Sequence, residues 1–244
     1  MLKIFATPKY SYSRPLKRWL KERGFKVVES YPFEAVNMIS EGSVDYGIIP
    51  IASAIVERGL RICPGPMVYS EGPTLSVSIF SKRRKELGEC KSIAVTSETR
   101  TALLYLKALA AKMKAGIKLL QTNDKYFSEL INLGDCALVI GDEALLATSS
   151  AVHNVADIGL LVRKELGIIP VFAATATHAK GKCDYSLALP PWPTPAFEDA
   201  LQTSRQTGLG FSLSWLYHHG IIRFDYNPSV LSNSIVALRS MLPL

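Results

Sequence analysis

Three observations predict an α/β fold for this chain. Short apolar runs of strand length alternate with amphipathic stretches of helical period. Glycines stand where helical stretches stop, at Gly24, Gly42 and Gly134, as they do where a chain leaves a helix. One phrase also recurs: Met38 to Ile49 and Leu130 to Ile140 each read as an amphipathic helix, a glycine stop and a buried strand. The recurrence suggests two similar α/β lobes, and a tandem duplication within one sheet is the other arrangement it allows.

The elements follow in order. Leu2 to Ala6 reads as a strand. Ser13 is placed to cap a helix with Pro15 in its first turn and Leu16, Trp19 and Leu20 on one face. Phe25 to Glu29 is the next strand, Pro32 opens a helix that turns Ala35, Val36 and Ile39 inward, and Tyr46 to Ile51 is a buried strand. Residues 73–81 alternate in strand period. A second series then runs through a strand at 92–96, a helix from Thr99 to about Lys114, a strand at 117–121, a helix at 124–133 and a strand from Cys136 to Ile140. A strand at 170–176 follows Gly167. Together with 73–81 it is the natural candidate for two strands crossing between lobes. The stretch 189–195 is a stiff connector, because its prolines remove backbone donors. Thr194 is expected to cap a helix from Pro195, and Asn227-Pro228 opens the last helix, with Leu231, Ile235 and Leu238 at core spacing.

Composition narrows the function classes. Of 244 residues, 48% are hydrophobic and 20% charged, which is globular usage rather than disorder. No apolar run has the length of a membrane span, and the amino terminus is too short in its apolar part for an export signal, so a cytoplasmic location is expected. The 28 Lys and Arg against 21 Asp and Glu leave a net charge of +7, which suits an acidic ligand without naming one. The densest basic run, Lys82-Arg83-Arg84-Lys85, lacks interleaved aromatics and reads as a solvated strand end, so no nucleic-acid partner is expected. Cys63, Cys90, Cys136 and Cys183 lie far apart without metal-site spacing. They are expected as reduced thiols, with Cys136 a small core residue. The four histidines are scattered. The adjacent His218 and His219 suit a helix C-terminus, where positive charge is tolerated.

In open α/β sheets, ligands sit beyond the carboxyl ends of strands, against helix N-termini. Four such ends carry small polar residues here: Ser11-Tyr12-Ser13-Arg14, Ser53, Ser97-Glu98-Thr99-Arg100-Thr101, and Gly141-Asp142. The third is the sharpest, with two hydroxyls, an Arg and free N–H groups at the start of a long helix, a set that suits a carboxylate. Ordinary capping by Thr99, with Arg100 facing solvent, is the competing reading. Asp142 either orders the cleft or caps the helix after it. The hydroxyl of Ser76, inside a strand, either faces a cleft or is satisfied by a neighbour. Phosphate loops, nucleophile elbows and dinucleotide fingerprints are absent.

These residues carry a resemblance over nearly the whole chain. The phrases at 10–16, 44–50, 72–81, 96–102, 139–145 and 165–173 resemble the family of chorismate dehydratase and 1,4-dihydroxy-6-naphthoate synthase, of the futalosine route to menaquinone, and the dehydratase fits better. The resemblance implies a type II periplasmic-binding-protein fold, two lobes joined by two crossing strands with the ligand between them. The lobes are expected as 1–81 plus 175–244 and 82–174. It further implies a cofactor-independent lyase that eliminates water from chorismate to give 3-(1-carboxyvinyloxy)benzoate. By position, Ser76 matches the family's substrate-facing serine. Thr99, Arg100 and Thr101 match its carboxylate-holding helix start, and Ser11 and Ser13 flank the first loop. The expected site comprises Ser76 and Tyr12 as catalytic residues, with Ser11, Ser13, Ser53, Ser97, Thr99, Arg100, Thr101, Gly141 and Asp142 binding substrate and no metal. Two positions depart from the family: Tyr12 stands where its loop, Tyr-Leu-Asn-Thr, has Asn, and Ala102 replaces a usual serine. A non-catalytic binding protein for a small carboxylate, or a member with another substrate, is the alternative.

Overall fold

A computed structural model describes residues 2–241. Its strands are β1 (Ile4–Pro8), β2 (Lys26–Ser30), β3 (Tyr46–Pro50), β4 (Leu60–Tyr69), β5 (Val77–Ser81), β6 (Ser92–Thr96), β7 (Lys118–Thr122), β8 (Cys136–Ile140), β9 (His153–Asp157) and β10 (Val171–His178). They form two five-stranded sheets, in the orders β2-β1-β3-β10-β4 and β7-β6-β8-β5-β9. In the first, β1 runs parallel to β2 and β3, and β10 runs antiparallel to β3 and β4. In the second, β6 is parallel to β7 and β8, and β5 is antiparallel to β8 and β9. The two sheets therefore have one topology twice, and the single-sheet arrangement is ruled out.

The helices are α1 (Arg14–Glu22), α2 (Pro32–Ser40), α3 (Ile51–Val56), α4 (Thr101–Lys112), α5 (Phe127–Leu133), α6 (Asp142–Thr148), α7 (Ile158–Leu161), α8 (Phe197–Thr207), α9 (Phe211–Leu216) and α10 (Pro228–Met241). The recurring phrase falls on α2–β3 and α5–β8, which are topologically equivalent. In α1, Pro15 pre-sets the first turn, Leu16, Trp19 and Leu20 are buried, and Gly24 leaves the helix at φ +79°. None of the described helices is long and apolar enough to cross a membrane.

Strand pairing moves the switch between the sheets away from the expected boundaries. Val77–Ser81, expected in the first lobe, pairs with β8 and β9 of the second sheet. All of β10, expected to be divided at 174/175, lies in the first sheet. The chain thus crosses at residues 70–76, and returns at 158–170 through α7 and a π-helical turn at Val162–Leu166. The crossings are a loop and a helical turn rather than the strands expected at 73–81 and 170–176.

Behind the crossings the largest core cluster joins both sheets. It holds Met67 from the first, Ile79, Ile93 and Leu138 from the second, Ile51 of α3, and Leu231 and Leu238 of α10. Each such side chain contributes about 1.5–3 kcal/mol on burial. Ser234 of α10 fastens the return crossing, accepting from Val171 N–H at 3.1 Å and donating to the Ile169 carbonyl at 2.8 Å.

The cysteines correct the expectation of reduced thiols: Cys63 is bonded to Cys183, and Cys90 to Cys136. Sequence separations of 120 and 46 hide pairs that the topology brings together. Cys63 lies on β4, and Cys183 follows its sheet neighbour β10. Cys136 opens β8 opposite Ile93 of β6, just after Cys90. Cys136 is fully buried as expected, but as half of a disulfide.

Two helix starts also differ. Ser13 makes no side-chain cap on α1; its hydroxyl donates back to the carbonyls of Pro8 and Tyr10. Helix α8 begins at Phe197 rather than Pro195, because Asp199 accepts from the Ala196 N–H at 2.7 Å, while the Thr194 hydroxyl bonds the Trp192 carbonyl.

His218 overturns the reading of a tolerated charge. It is 2% exposed, its Nε2 lies 2.9 Å from the Thr203 hydroxyl, and burial pushes its pKa down to about 4 against an opposing pull from Asp199, with Arg14 adding a smaller depression. The unfolded chain takes up a proton near pH 6.5 that the folded chain refuses until about pH 4. The neutral ring therefore supports stability above about pH 6.5, and this contribution, about 3 kcal/mol, is lost as pH falls from there towards 4. Urea unfolding of wild type and His218→Gln at pH 7 and pH 4.5 checks it. The gap between the two proteins is expected to narrow by about 2 kcal/mol or more at the lower pH, and a pH-independent gap contradicts the assignment.

Candidate functional site

The carboxyl ends of both sheets face one another, and the loops following β1, β3, β6 and β8 meet there. Two cross-sheet contacts repeat the internal symmetry of the fold. Asp142, at the start of α6, accepts from the Ser11 N–H at 2.9 and 3.1 Å and from the Ser11 hydroxyl at 2.6 Å. In the equivalent place, the Thr101 hydroxyl at the start of α4 accepts from the Ala52 N–H of α3 at 3.3 Å.

Between these contacts lies a cavity of about 640 Å³ when the space open to solvent at its mouth is counted. Its walls are largely apolar, with Pro50, Val68, Tyr69, Ile140 and Phe172 among them, and a few polar groups converge on it, the usual character of a small-molecule site. One side is the start of α4. Neither Arg100, in the N-cap position, nor any other side chain caps that helix, so its first N–H groups and the positive end of its dipole remain available. Thr99 beside it is 2% exposed, and its hydroxyl has no hydrogen-bond partner. The opposite wall carries Ser76, 3% exposed, on the first crossing.

Gly141 closes the cavity over Tyr10. At φ +67° and ψ −144° it holds a conformation that suits glycine. A Cβ there would lie 2.4 Å from carbons of the Tyr10 ring. Its N–H donates to the Ser76 carbonyl at 2.7 Å, so the glycine also fixes the serine's backbone. Tyr12 is buried, and burial, reinforced by the nearby Asp142 carboxylate, pushes its phenol far above the usual range. It is a protonated donor at any working pH.

Of the expected site residues, the structure brings Tyr12, Ser76, Thr99, Arg100, Thr101 and Gly141 onto this cavity. The remainder lie elsewhere. Ser11 and Asp142 engage each other across the cleft. Asp142 faces an outer cavity on the far side of Tyr10. Ser13 serves its own turn, Ser53 is buried in α3 away from the cavity wall, and Ser97 bonds the Thr122 carbonyl through its N–H. Arg100 is exposed at the rim, where its guanidinium stacks 4.4 Å from the centre of the Phe33 ring of the other lobe. At the outer mouth, Lys9 and Lys125 lie 3.2 and 3.9 Å from the Tyr31 ring centre, and Lys125 pairs with Glu98. Sequence reasoning missed Tyr69, Ser70, Phe172 and Ile222 on the wall; nothing in their local sequence marks them. Among the described residues, no cluster of three or more His, Cys, Asp or Glu is placed to hold a metal ion.

Two similar lobes, crossed twice with a cavity between them, define a periplasmic-binding-protein-like fold. Solved structures agree. The chain is similar to the alkanesulfonate-binding protein SsuA of Xanthomonas axonopodis pv. citri bound to MOPS, with a TM-score of 0.65 at 15% identity, covering 100% of this chain and 94% of that one. It is also similar to a Candida albicans protein described as having the generic periplasmic binding protein fold, with a TM-score of 0.66 at 13% identity, covering 99% and 89%. A family model described as menaquinone biosynthesis matches residues 6–211. The chain belongs to that menaquinone-biosynthesis family. It is 25% identical over 215 residues to chorismate dehydratase of Thermus thermophilus, covering 85% of this chain and 78% of that protein.

Proposed function

We propose that this protein is a carbon–oxygen lyase that converts chorismate to 3-(1-carboxyvinyloxy)benzoate and water. The observation that carries the reading is the cavity's division of labour. An uncapped α4 start with the unpaired Thr99 hydroxyl suits a carboxylate, apolar walls suit a ring, and Ser76 and Tyr12 suit the leaving hydroxyl. In the reaction, the C–H bond at the ether-bearing ring carbon breaks, its electron pair completes the aromatic ring, and the neighbouring C–O bond breaks. The departing oxygen gains a proton and leaves as water, so atoms balance without an oxidant or reductant. Aromatisation supplies the driving force, and the protein's part is to orient the substrate and stabilise charge on the leaving oxygen. In this scheme a carboxylate of the substrate takes the proton from carbon, and one proton is returned to the departing oxygen, so the protein ends in the state in which it began.

The test is direct. Chorismate incubated with purified protein is expected to lose its diene absorbance, with the enolpyruvyl benzoate identified by mass spectrometry. A second reading, a binding protein for the same class of acid, is favoured by Tyr12 in place of the family's Asn. It predicts thermal stabilisation that follows RT ln(1 + [L]/Kd), with the ligand recovered unchanged.

A further inference from the structure

One buried donor beside the cavity has no place in the scheme above. Tyr217 follows α9 in the π-helical turn Tyr217–Ile221 and is 0% exposed. Its ring packs in the core cluster that holds Tyr12, Leu16 and Leu145. Its hydroxyl reaches the Ser76 hydroxyl, with Tyr12 and Asp142 close by, yet it has no hydrogen bond of good geometry. A buried phenol without a partner is a destabilising arrangement, and a role at a neighbouring site is one of the reasons such a group persists. Burial also pushes the phenol well above its ordinary range, so it remains a neutral donor. Tyr217 does not line the cavity, whereas Ser76 does.

We propose that Tyr217 is a positioning residue: in the liganded protein its O–H donates to Ser76 Oγ, which turns the serine's own proton towards the bound acid. The inference rests on the reading that Ser76 meets the substrate, and it adds the group that orients it. No signal in the sequence marks Tyr217, because the link between the C-terminal turn and the first crossing exists only in three dimensions.

The test compares wild type, Tyr217→Phe, Ser76→Ala and the double variant, by turnover of chorismate and by thermal unfolding without ligand. Tyr217→Phe removes only the oxygen. It is expected to leave the Tm unchanged or slightly raised, to lower kcat about tenfold or more, and to change KM less than about threefold. The double variant is expected to be no slower than Ser76→Ala alone. A Tyr217→Phe protein with wild-type kcat, losses that multiply in the double variant, or a fall in Tm that accounts for the lost activity would each overturn the proposal. Wild-type protein inert towards chorismate overturns the lyase reading and this inference with it. An active wild type with an unaffected Tyr217→Phe variant overturns this inference alone.

Discussion

Replacing Asp157 with alanine is expected to cost about 3 kcal/mol of stability and to loosen the relation between the two lobes. The carboxylate ties both crossings together. One oxygen accepts from the N–H groups of Thr74 and Leu75, each at 2.8 Å, and from the Thr74 hydroxyl at 3.0 Å. The other accepts from the Leu160 N–H at 3.1 Å, capping α7 at the start of the return crossing. Leu75 is held at φ +57°, in the left-handed region that side chains avoid, immediately before Ser76. Removing the carboxylate leaves three backbone donors, of Thr74, Leu75 and Leu160, without their partner, each worth about 1–3 kcal/mol, and release of the strain at Leu75 offsets part of that cost. Gly159 shows how close the crossings run: a Cβ there would lie 2.5 Å from Thr74 Cγ2. Urea unfolding followed by circular dichroism measures the loss. Asp157→Asn keeps one acceptor and is expected to fall between wild type and Asp157→Ala, and a change below about 0.5 kcal/mol, typical of a plain surface site, contradicts the account.

Gly141→Ala is expected to lower kcat/KM about 100-fold while leaving the fold intact. Two effects combine. The backbone at φ +67° and ψ −144° strains any side chain, at about 1–3 kcal/mol. The added methyl also strikes the Tyr10 ring. Relief comes only by opening the cleft or by shifting the strand end whose N–H holds the Ser76 carbonyl. Adding Tyr10→Ala to Gly141→Ala removes the clash but not the strain, so it is expected to restore part of the loss. Steady-state kinetics with circular dichroism as a folding control measures this, and a Gly141→Ala protein with wild-type kinetics contradicts the proposed closure of the cavity.

Much of this architecture is written locally. The α2–β3 and α5–β8 phrases are legible because a helical face, a glycine stop and a wholly buried strand are short-range patterns, and they mark equivalent places in the two sheets. The start of α4 is legible for the same reason: Thr99, Arg100 and Thr101 are neighbours in sequence and in space. Strand β4 was missed because Pro64, Gly65 and Pro66 interrupt it. An edge strand tolerates them, since it has only one partner to satisfy. Strand β9 was missed because His153 and Asn154 break the apolar alternation on an exposed edge. The hydroxyls of Ser13 and Ser53 look the same in sequence as those of Ser76 and Thr99, and only the direction in which each loop turns separates a cavity donor from an internal one. The disulfides and Tyr217 depend on distant segments meeting, which local pattern does not encode.

The central claim, that the cavity between the lobes holds an organic acid by its carboxylate at the start of α4, is tested most directly by a crystal structure with 3-(1-carboxyvinyloxy)benzoate bound. The account predicts one carboxylate within hydrogen-bonding distance of the Thr99 hydroxyl and the first N–H groups of α4, the ring against Tyr69 and Phe172, and Ser76 facing the opposite edge. A ligand seated outside this cavity, or one whose carboxylates both point away from Thr99, contradicts it.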